Sequence, residues 1–342
     1  MITFNPKQIT ETFFAELPKR SQDIIVRRYG LSGGAQKSTL DSIGKKYGIT
    51  RERVRQIENY SLKNARKSKA FEDAGASFGE LADLIKSTGG VVAEEDLLNY
   101  LSEDALTQNY FYLLLVLGAS FAREKEDSEF RTRWFLDPKL SEDISAVLRE
   151  ISKNWTNDIL IPESELVSLF NKQAQTYQSR LKNNEEDIKR WLALSKIIGK
   201  NSFDEWGLAV SPNIKTRGIR SYAYLVVRQH GSPMHFTEVA KKIQEHFNKK
   251  AHIATCHNEL IKDERFVLVG RGLYALTEWG YSQGVVREVI RDILKKKGFL
   301  SKEEIIKQVL KERYVKENTV LVNLQNSNFF KKKADGTYAV AN

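Results

Sequence analysis

TLDSIGKKYGITRERVRQIENYSLKNARKSK, residues 39–69, holds two runs of helical periodicity around one glycine. Leu40, Ile43 and Tyr47 recur on one helix face, Gly48 stops that helix, and Thr50 can cap a second by accepting a backbone N–H in its first turn. In the second helix Val54, Ile57 and Ser61 share a face that must pack inward. Glu52, Gln56, Asn59 and Lys63 lie opposite, with Arg55 on the flank. Two short helices meeting at a glycine, the second with a polar outer face, have the layout of a helix-turn-helix, whose second helix enters the major groove of DNA. The residue types suit that use: Arg pairs in bidentate fashion with guanine, Gln with adenine, and Glu accepts from cytosine N4. An ordinary amphipathic helix with a charged solvent face has the same periodicity, so spacing alone leaves both readings open.

LPKRSQDIIVRRYGL (17–31) followed by TLDSIGKKYGITRERVRQIE (39–58) resembles region 4 of bacterial sigma factors of the sigma-70 class. TRERVRQIE is close to the segment with which that family reads the promoter −35 element. The likeness covers about residues 15–70. It implies that Arg51, Glu52, Arg55 and Gln56 touch bases, that Arg53, Lys63 and Arg66 hold phosphates, and that Asn59 belongs to the same DNA-facing set. It also implies the RNA polymerase flap as a partner. Sigma factors carry region 4 behind the segments that melt the promoter, whereas here it comes first; a DNA reader that does not initiate transcription alone is therefore expected. LSGGAQKST (31–39) looks like a phosphate cradle, but Gln36 stands where such a loop needs glycine before its lysine, so it reads as a connection between helical halves.

The bulk composition agrees with a nucleic-acid partner. The net charge of +10 is unevenly spread. Residues 1–70 carry 15 Lys/Arg against 6 Asp/Glu, residues 71–215 carry 16 against 25, and residues 216–342 carry 23 against 13. The balances are +9, −9 and +10, two basic ends around an acidic middle. Clustered cations gain affinity for phosphate by releasing counterions, while the acidic stretch suits spacing or protein contact. The apolar run at 110–122 is too short to span a bilayer, and the start lacks a signal-peptide pattern, so a cytoplasmic, nucleoid-associated protein with no membrane partner is expected. The single cysteine, Cys256, permits no internal disulfide.

Behind the head, four stretches read as strand pairs: 119–138, 195–212, 265–279 and 328–340. Each ends a helical block, which makes successive winged helix-turn-helix units. The expected division is a head at 1–75, units at 78–138 and 139–214, a unit at 215–281 and a C-terminal unit at 282–342. The fold class is thus mainly α with short β-hairpin wings. GIRSYAYLVVRQ, HFTEVAKKIQEHF, HIATCHNELIKD and RFVLVGRGLYALTEW resemble the HARE-type winged helix-turn-helix found in the delta subunit of some bacterial RNA polymerases, in restriction-linked proteins and in chromatin regulators. Thr237 can cap its second helix. In its third helix Ile253, Cys256 and Leu260 face inward, leaving Thr255, Asn258 and Lys262 outward, His257 on the flank and Arg271 at the wing tip as DNA-contacting candidates.

No catalytic motif, cofactor signature or metal set emerges. His252 and Cys256 have the spacing of a helical metal pair, but a zinc site needs four converging ligands. Glu94 and Glu95, and Glu185 and Glu186, fit helix starts, where carboxylates favour the dipole. Trp134, Trp206 and Trp279 read as packing anchors. The expectation is a non-enzymatic, sequence-specific binder of double-stranded DNA that regulates transcription. The alternatives are an RNA polymerase accessory protein and the DNA-targeting component of a restriction or defence system.

Overall fold

The computed structural model describes residues 2–177, 184–281 and 284–341, and the chain divides into two units, 1–199 and 200–342. The head comprises α1 (Pro6–Phe14), α2 (Lys19–Tyr29), α3 (Leu40–Tyr47), α4 (Arg51–Ala65) and α5 (Lys69–Asp73). Thr39 and Thr50 cap α3 and α4, their hydroxyls accepting from the backbone N–H groups of Ser42 and Arg53 at 3.1 Å each. Gly48 closes α3 in the left-handed region, as its position between the two periodic runs predicts. Ile24, Ile43 and Val54 are almost completely buried together, with Leu40, Tyr47, Ile49 and Ile57 packed around them. That small core sets the angle between α3 and α4. A side chain at Gly44 would place its Cβ 2.7 Å from the Ile49 carbonyl oxygen, so the tight turn depends on glycine there.

The following winged unit is α6 (Gly75–Ser87), β1 (Val91–Ala93), α7 (Glu94–Leu101), α8 (Ala105–Leu117), β2 (Ala122–Glu124) and β3 (Arg133–Phe135). Its sheet runs β1-β3-β2 and is antiparallel throughout. Helix α8 is apolar nearly all round, the pattern of a helix buried on more than one side. Tyr110, Phe111, Leu113, Leu114 and Leu117 share one core with Phe13, Phe14, Leu17, Ile25, Tyr29, Leu31, Leu62 and Ala65 of the head. Leu115 turns to the other side, against Ile85, Val92, Leu97 and Trp134. The expected division between residues 75 and 78 therefore runs through a continuous hydrophobic core.

Polar contacts lock the same junction. Asn109 Nδ2 donates to the carbonyls of Gly30 and Ala35 at 3.0 and 2.9 Å, and the Tyr110 hydroxyl to that of Leu31 at 3.1 Å. Gly30 sits at φ +68°, and a Cβ there would lie 2.7 Å from the Ala35 carbonyl oxygen and 2.8 Å from Asn109 Nδ2. Lys37 rests its ammonium 4.1 Å from the centre of the Tyr112 ring. Burial pushes that ammonium below its ordinary pKa against the pull of Glu94. The glycine-rich loop is a docked connection, and its lysine is spent on an aromatic ring.

Next come α9 (Pro138–Ser152), β4 (Ile161–Pro162), α10 (Glu163–Ala174), α11 (Glu185–Leu192), β5 (Ile198–Lys200) and β6 (Glu205–Leu208). The acidic pairs fall at helix starts as expected: Glu94 and Glu95 open α7, and Glu185 and Glu186 open α11. Phe170 and Trp191 pack with ring centres 5.6 Å apart. Trp134 is buried, and its indole N–H donates to Glu94 at 2.9 Å.

The second unit holds α12 (Ile219–His230), β7 (Met234–His235), α13 (Phe236–Phe247), α14 (Ile253–Lys262), β8 (Phe266–Gly270) and β9 (Leu273–Leu276), with sheet order β7-β9-β8. It ends in α15 (Val286–Lys297), α16 (Lys302–Glu312), α17 (Glu317–Leu324), β10 (Phe330–Lys332) and β11 (Tyr338–Val340). The segment after α16 joins the C-terminal domain to the wing of β8 and β9. Tyr314 N donates to Val269 O at 2.8 Å and bridges Gly270 in parallel fashion, while buried Arg313 donates to the carbonyls of Leu268 and Gly284.

Three expectations need correction. The cap of α13 is His235, whose Nδ1 accepts from Thr237 N, because the short strand β7 runs directly into the helix. Ile253 is 51% exposed although it lies on the face of Cys256 and Leu260. It opens α14, so its side chain leans beyond the helix start, where the core has ended. Strands β1, β4 and β7 join the expected hairpins; only two or three residues long, they are too short to show an alternating pattern.

Two outcomes follow from this packing. Leu114→Ala removes a side chain that is 1% exposed in the shared core, at an expected cost of about 2–5 kcal/mol. Hydrogen exchange under increasing urea then shows the helices of the head and of the next unit losing protection at the same concentration; separate transitions would contradict one shared core. Burial raises the Cys256 thiol to about 11, so at pH 8 a chromogenic disulfide reagent reacts with it only after denaturant unfolds the chain.

Candidate nucleic-acid interface

Helix α4 is held from below and open above. Val54, Glu58, Ser61, Leu62 and Ala65 are buried and Ile57 half-buried. Glu58 is the unforeseen member of that inward face. Its carboxylate accepts from the Tyr29 hydroxyl at 3.0 Å and Arg28 Nε at 3.3 Å, which satisfies a charge that would otherwise be costly to bury. Beside it, burial and the Glu58 carboxylate push the Tyr29 phenol well above its ordinary pKa. Asp23 of α2 accepts from Arg27 at 2.7 Å and from the Tyr47 hydroxyl, tying α2 to α3.

Arg51, Glu52, Arg53, Arg55, Gln56, Asn59 and Lys63 are set on the outer side of α4, all of them exposed. In the free protein several of them hold one another. Arg55 grips the Glu52 carboxylate through Nε at 2.9 Å and Nη2 at 2.7 Å, and Arg53 Nη1 donates to Gln56 Oε1 at 3.0 Å. The Arg55 guanidinium holds the Glu52 carboxyl below its usual range, so Glu52 stays an ionised acceptor. Exposed pairs of this kind exchange readily with another partner. Lys63 lies about 10 Å along the helix from Gln56, near the reach of a flanking phosphate.

Arg66 serves another purpose. Its Nε donates to Leu117 O at 3.0 Å and its Nη2 to Val116 O at 2.8 Å, capping the end of α8. Two of its five N–H donors are thus taken where α8 docks on the head, while the side chain itself stays exposed. Two further cations, Lys45 and Lys46, which the sequence reading does not single out, lie exposed at the end of α3 beside the turn into α4. Lys45 pairs with Asp41 at 2.9 Å and Lys46 approaches Asp23 at 3.9 Å. Their signal is positional, since the first helix of such a pair crosses the DNA backbone. Tyr60, 60% exposed on the side of Arg53 and Lys63, is a further surface residue that periodicity does not mark.

In the second unit Thr255, Asn258 and Lys262 are set on the outer side of α14, and Arg271 is exposed between Gly270 and Gly272. His257, half-buried on the flank, packs in a cluster of aromatic rings. Its ring lies 4.4 Å from that of Phe236 and 5.9 Å from that of Tyr274, and Phe236 in turn meets His235 at 4.4 Å. Ile253 and Ile261, 51% and 61% exposed, give the outer side of α14 a mixed rather than cationic character. Cys256 is buried while His252 is exposed, so the two do not converge on one point. Among the described residues no helix is long and apolar enough to cross a membrane.

Comparison with known proteins agrees with this geometry over two segments. Residues 13–67 match the family model described as Sigma-70, region 4. Residues 219–279 match the HARE-HTH model, whose description names ASXL proteins and the restriction endonuclease HTH domain. Similar proteins include the RNA polymerase principal sigma factor HrdD of Streptomyces viridifaciens, 36% identical over 67 residues, which is 20% of each chain. The RNA polymerase sigma factor RpoS of Coxiella burnetii is 41% identical over 56 residues, 16% of each chain. The RNA polymerase sigma factor SigA of a Bacillus species is 37% identical over 70 residues, 20% of this chain and 18% of that one. The chain thus spans about a fifth of the length of the curated relatives it matches. It carries a sigma region 4 helix-turn-helix at residues 13–67 and a HARE-type helix-turn-helix at residues 219–279, two domains that support DNA binding.

Proposed function

We propose that this chain is a bacterial transcription regulator that binds double-stranded DNA in a sequence-dependent way, reading a −35-like element with α4. The carrying observation is that the polar face of α4 stands open to solvent while its opposite face is fixed into the core. In this reading Arg51, Glu52, Arg55 and Gln56 reach base edges, Arg53 and Lys63 hold flanking phosphates, and Asn59 supports the contact. Lys45 and Lys46 meet the backbone from α3. Thr255, Asn258, Lys262 and Arg271 extend the contact from the HARE-type unit. The protein acts by binding rather than catalysis, in the cytoplasm on the nucleoid.

A second reading has one observation in its favour. The exposed Ile253 and Ile261 on α14 suit a protein partner better than phosphate, which fits an accessory protein that meets RNA polymerase, for example at its flap. The two readings diverge on sequence preference.

Selection of bound duplexes from a random pool, with full-length protein and an Arg55→Ala, Gln56→Ala variant side by side, separates them. The wild type enriches a TTGACA-like motif over scrambled duplex by about tenfold or more for each good base contact, and the variant loses the motif. Arg66→Ala keeps the motif, because Arg66 caps α8. Equal retention of all sequences by the wild type contradicts direct reading by α4 and leaves the accessory role.

A further inference from the structure

The hairpin wings within this chain differ in how their charges are matched. In the wing of β2 and β3 the arginines are paired with acids. Arg123 holds Glu94, Arg133 holds Glu124, and Arg131 holds Glu95 and Asp96. The helix before that wing, α8, is buried in the shared core. The C-terminal wing differs on both counts. Lys331, Lys332 and Lys333 follow one another along β10 and into its turn, all exposed, and among the described residues none of the three forms an ion pair. The Lys333 ammonium sits over the exposed ring of Phe299, 2.9 Å from its centre.

Helix α17, in front of this hairpin, is open as well. Val320 and Leu324 are buried, whereas Asn318, Thr319 and Val322 face solvent, Val322 at 60%. The end of α17 is pinned to the start of β10, since the N–H groups of Phe329 and Phe330 both bond Asn326 O at 3.1 Å. Residues 316–340 carry Lys316, Lys331, Lys332 and Lys333 against Glu317 and Asp335, four cations less two anions, or +2. Arg313, buried and bonded to the carbonyls of Leu268 and Gly284, fixes this domain to the wing of the HARE-type unit.

We propose that the C-terminal domain is a second duplex-DNA contact, in which Lys331, Lys332 and Lys333 hold backbone phosphates and α17 presents Asn318, Thr319 and Val322 to a groove. Lysine is a point charge with freely rotating donors, which suits scattered phosphate oxygens, whereas recognition of an acidic peptide favours the planar fork of arginine. Amide and hydroxyl groups beside a branched apolar side chain match the donors, acceptors and thymine methyls of base edges. This site lies outside both matched family segments and does not depend on the proposed reading by α4.

The test is fluorescence anisotropy of full-length protein on a duplex of scrambled sequence from 50 to 300 mM salt. The variants are Lys331→Ala, Lys332→Ala, Lys333→Ala combined, and Arg55→Ala, Gln56→Ala combined. The triple variant changes only exposed side chains; circular dichroism confirms that it is folded. It loses about tenfold or more in affinity at low salt, and its slope of log affinity against log salt falls by about 2–3, close to one counterion per phosphate contact. The double variant keeps the steep slope, so failure of reading by α4 would leave this result standing. An unchanged slope and affinity in the triple variant would overturn the proposal. So would wild-type affinity for a double-stranded RNA of the same sequence exceeding that for DNA, or for an acidic polypeptide exceeding both.

Discussion

An apolar helix inserted between two helical bundles constrains everything the head can do. Because α8 is hydrophobic on nearly every side, it cannot be a solvent-facing recognition helix, although it occupies that position in its own winged unit. Its burial covers the inner side of α1, α2 and α4 and leaves the polar side of α4 free. Asn109, Tyr110 and Arg66 complete the attachment with bonds to backbone carbonyls that would otherwise go unpaired at a loop and a helix end. The helix-turn-helix of the head is thus fixed on the side away from the proposed DNA contact.

This arrangement also weighs the functional readings. An apolar underside already covered by the chain's own helix has less to offer a protein partner, whereas the outer face offers guanidinium, carboxylate and amide groups to bases. Those groups are pre-arranged but not committed: Arg55 on Glu52 and Arg53 on Gln56 are exposed pairs that a base or phosphate can displace. The cationic C-terminal domain would add affinity without sequence, and linking it to a reader raises the local concentration of each site for the other.

Much of this is legible in the residues. The Thr50 cap, the Gly48 stop and the inward set Val54 and Ser61 follow from local rules that tertiary packing does not override, and the hairpins at 122–135, 198–208, 266–276 and 330–340 lie where strand patterns place them. What stays hidden depends on long-range partners. Glu58 reads as a surface charge until Tyr29 and Arg28 arrive from 29 and 30 residues away. The bonds of Arg66 to the end of α8, and the packing of His257 against Phe236 and Tyr274, likewise join residues far apart in the chain or brought together only by the fold. Lys37 looks like part of a phosphate loop, yet it lies on Tyr112, 75 positions along the chain. Domain borders are the hardest to see, because an apolar run at 110–122 does not say on how many sides it will be covered.

The most direct measurement is methylation protection of the selected duplex, bound and free. Dimethyl sulfate attacks guanine N7 in the major groove and adenine N3 in the minor groove. Entry of α4 into the major groove protects guanine N7 within the recognised element and leaves adenine N3 there reactive. Tight binding with guanine N7 fully reactive across the site would contradict the account.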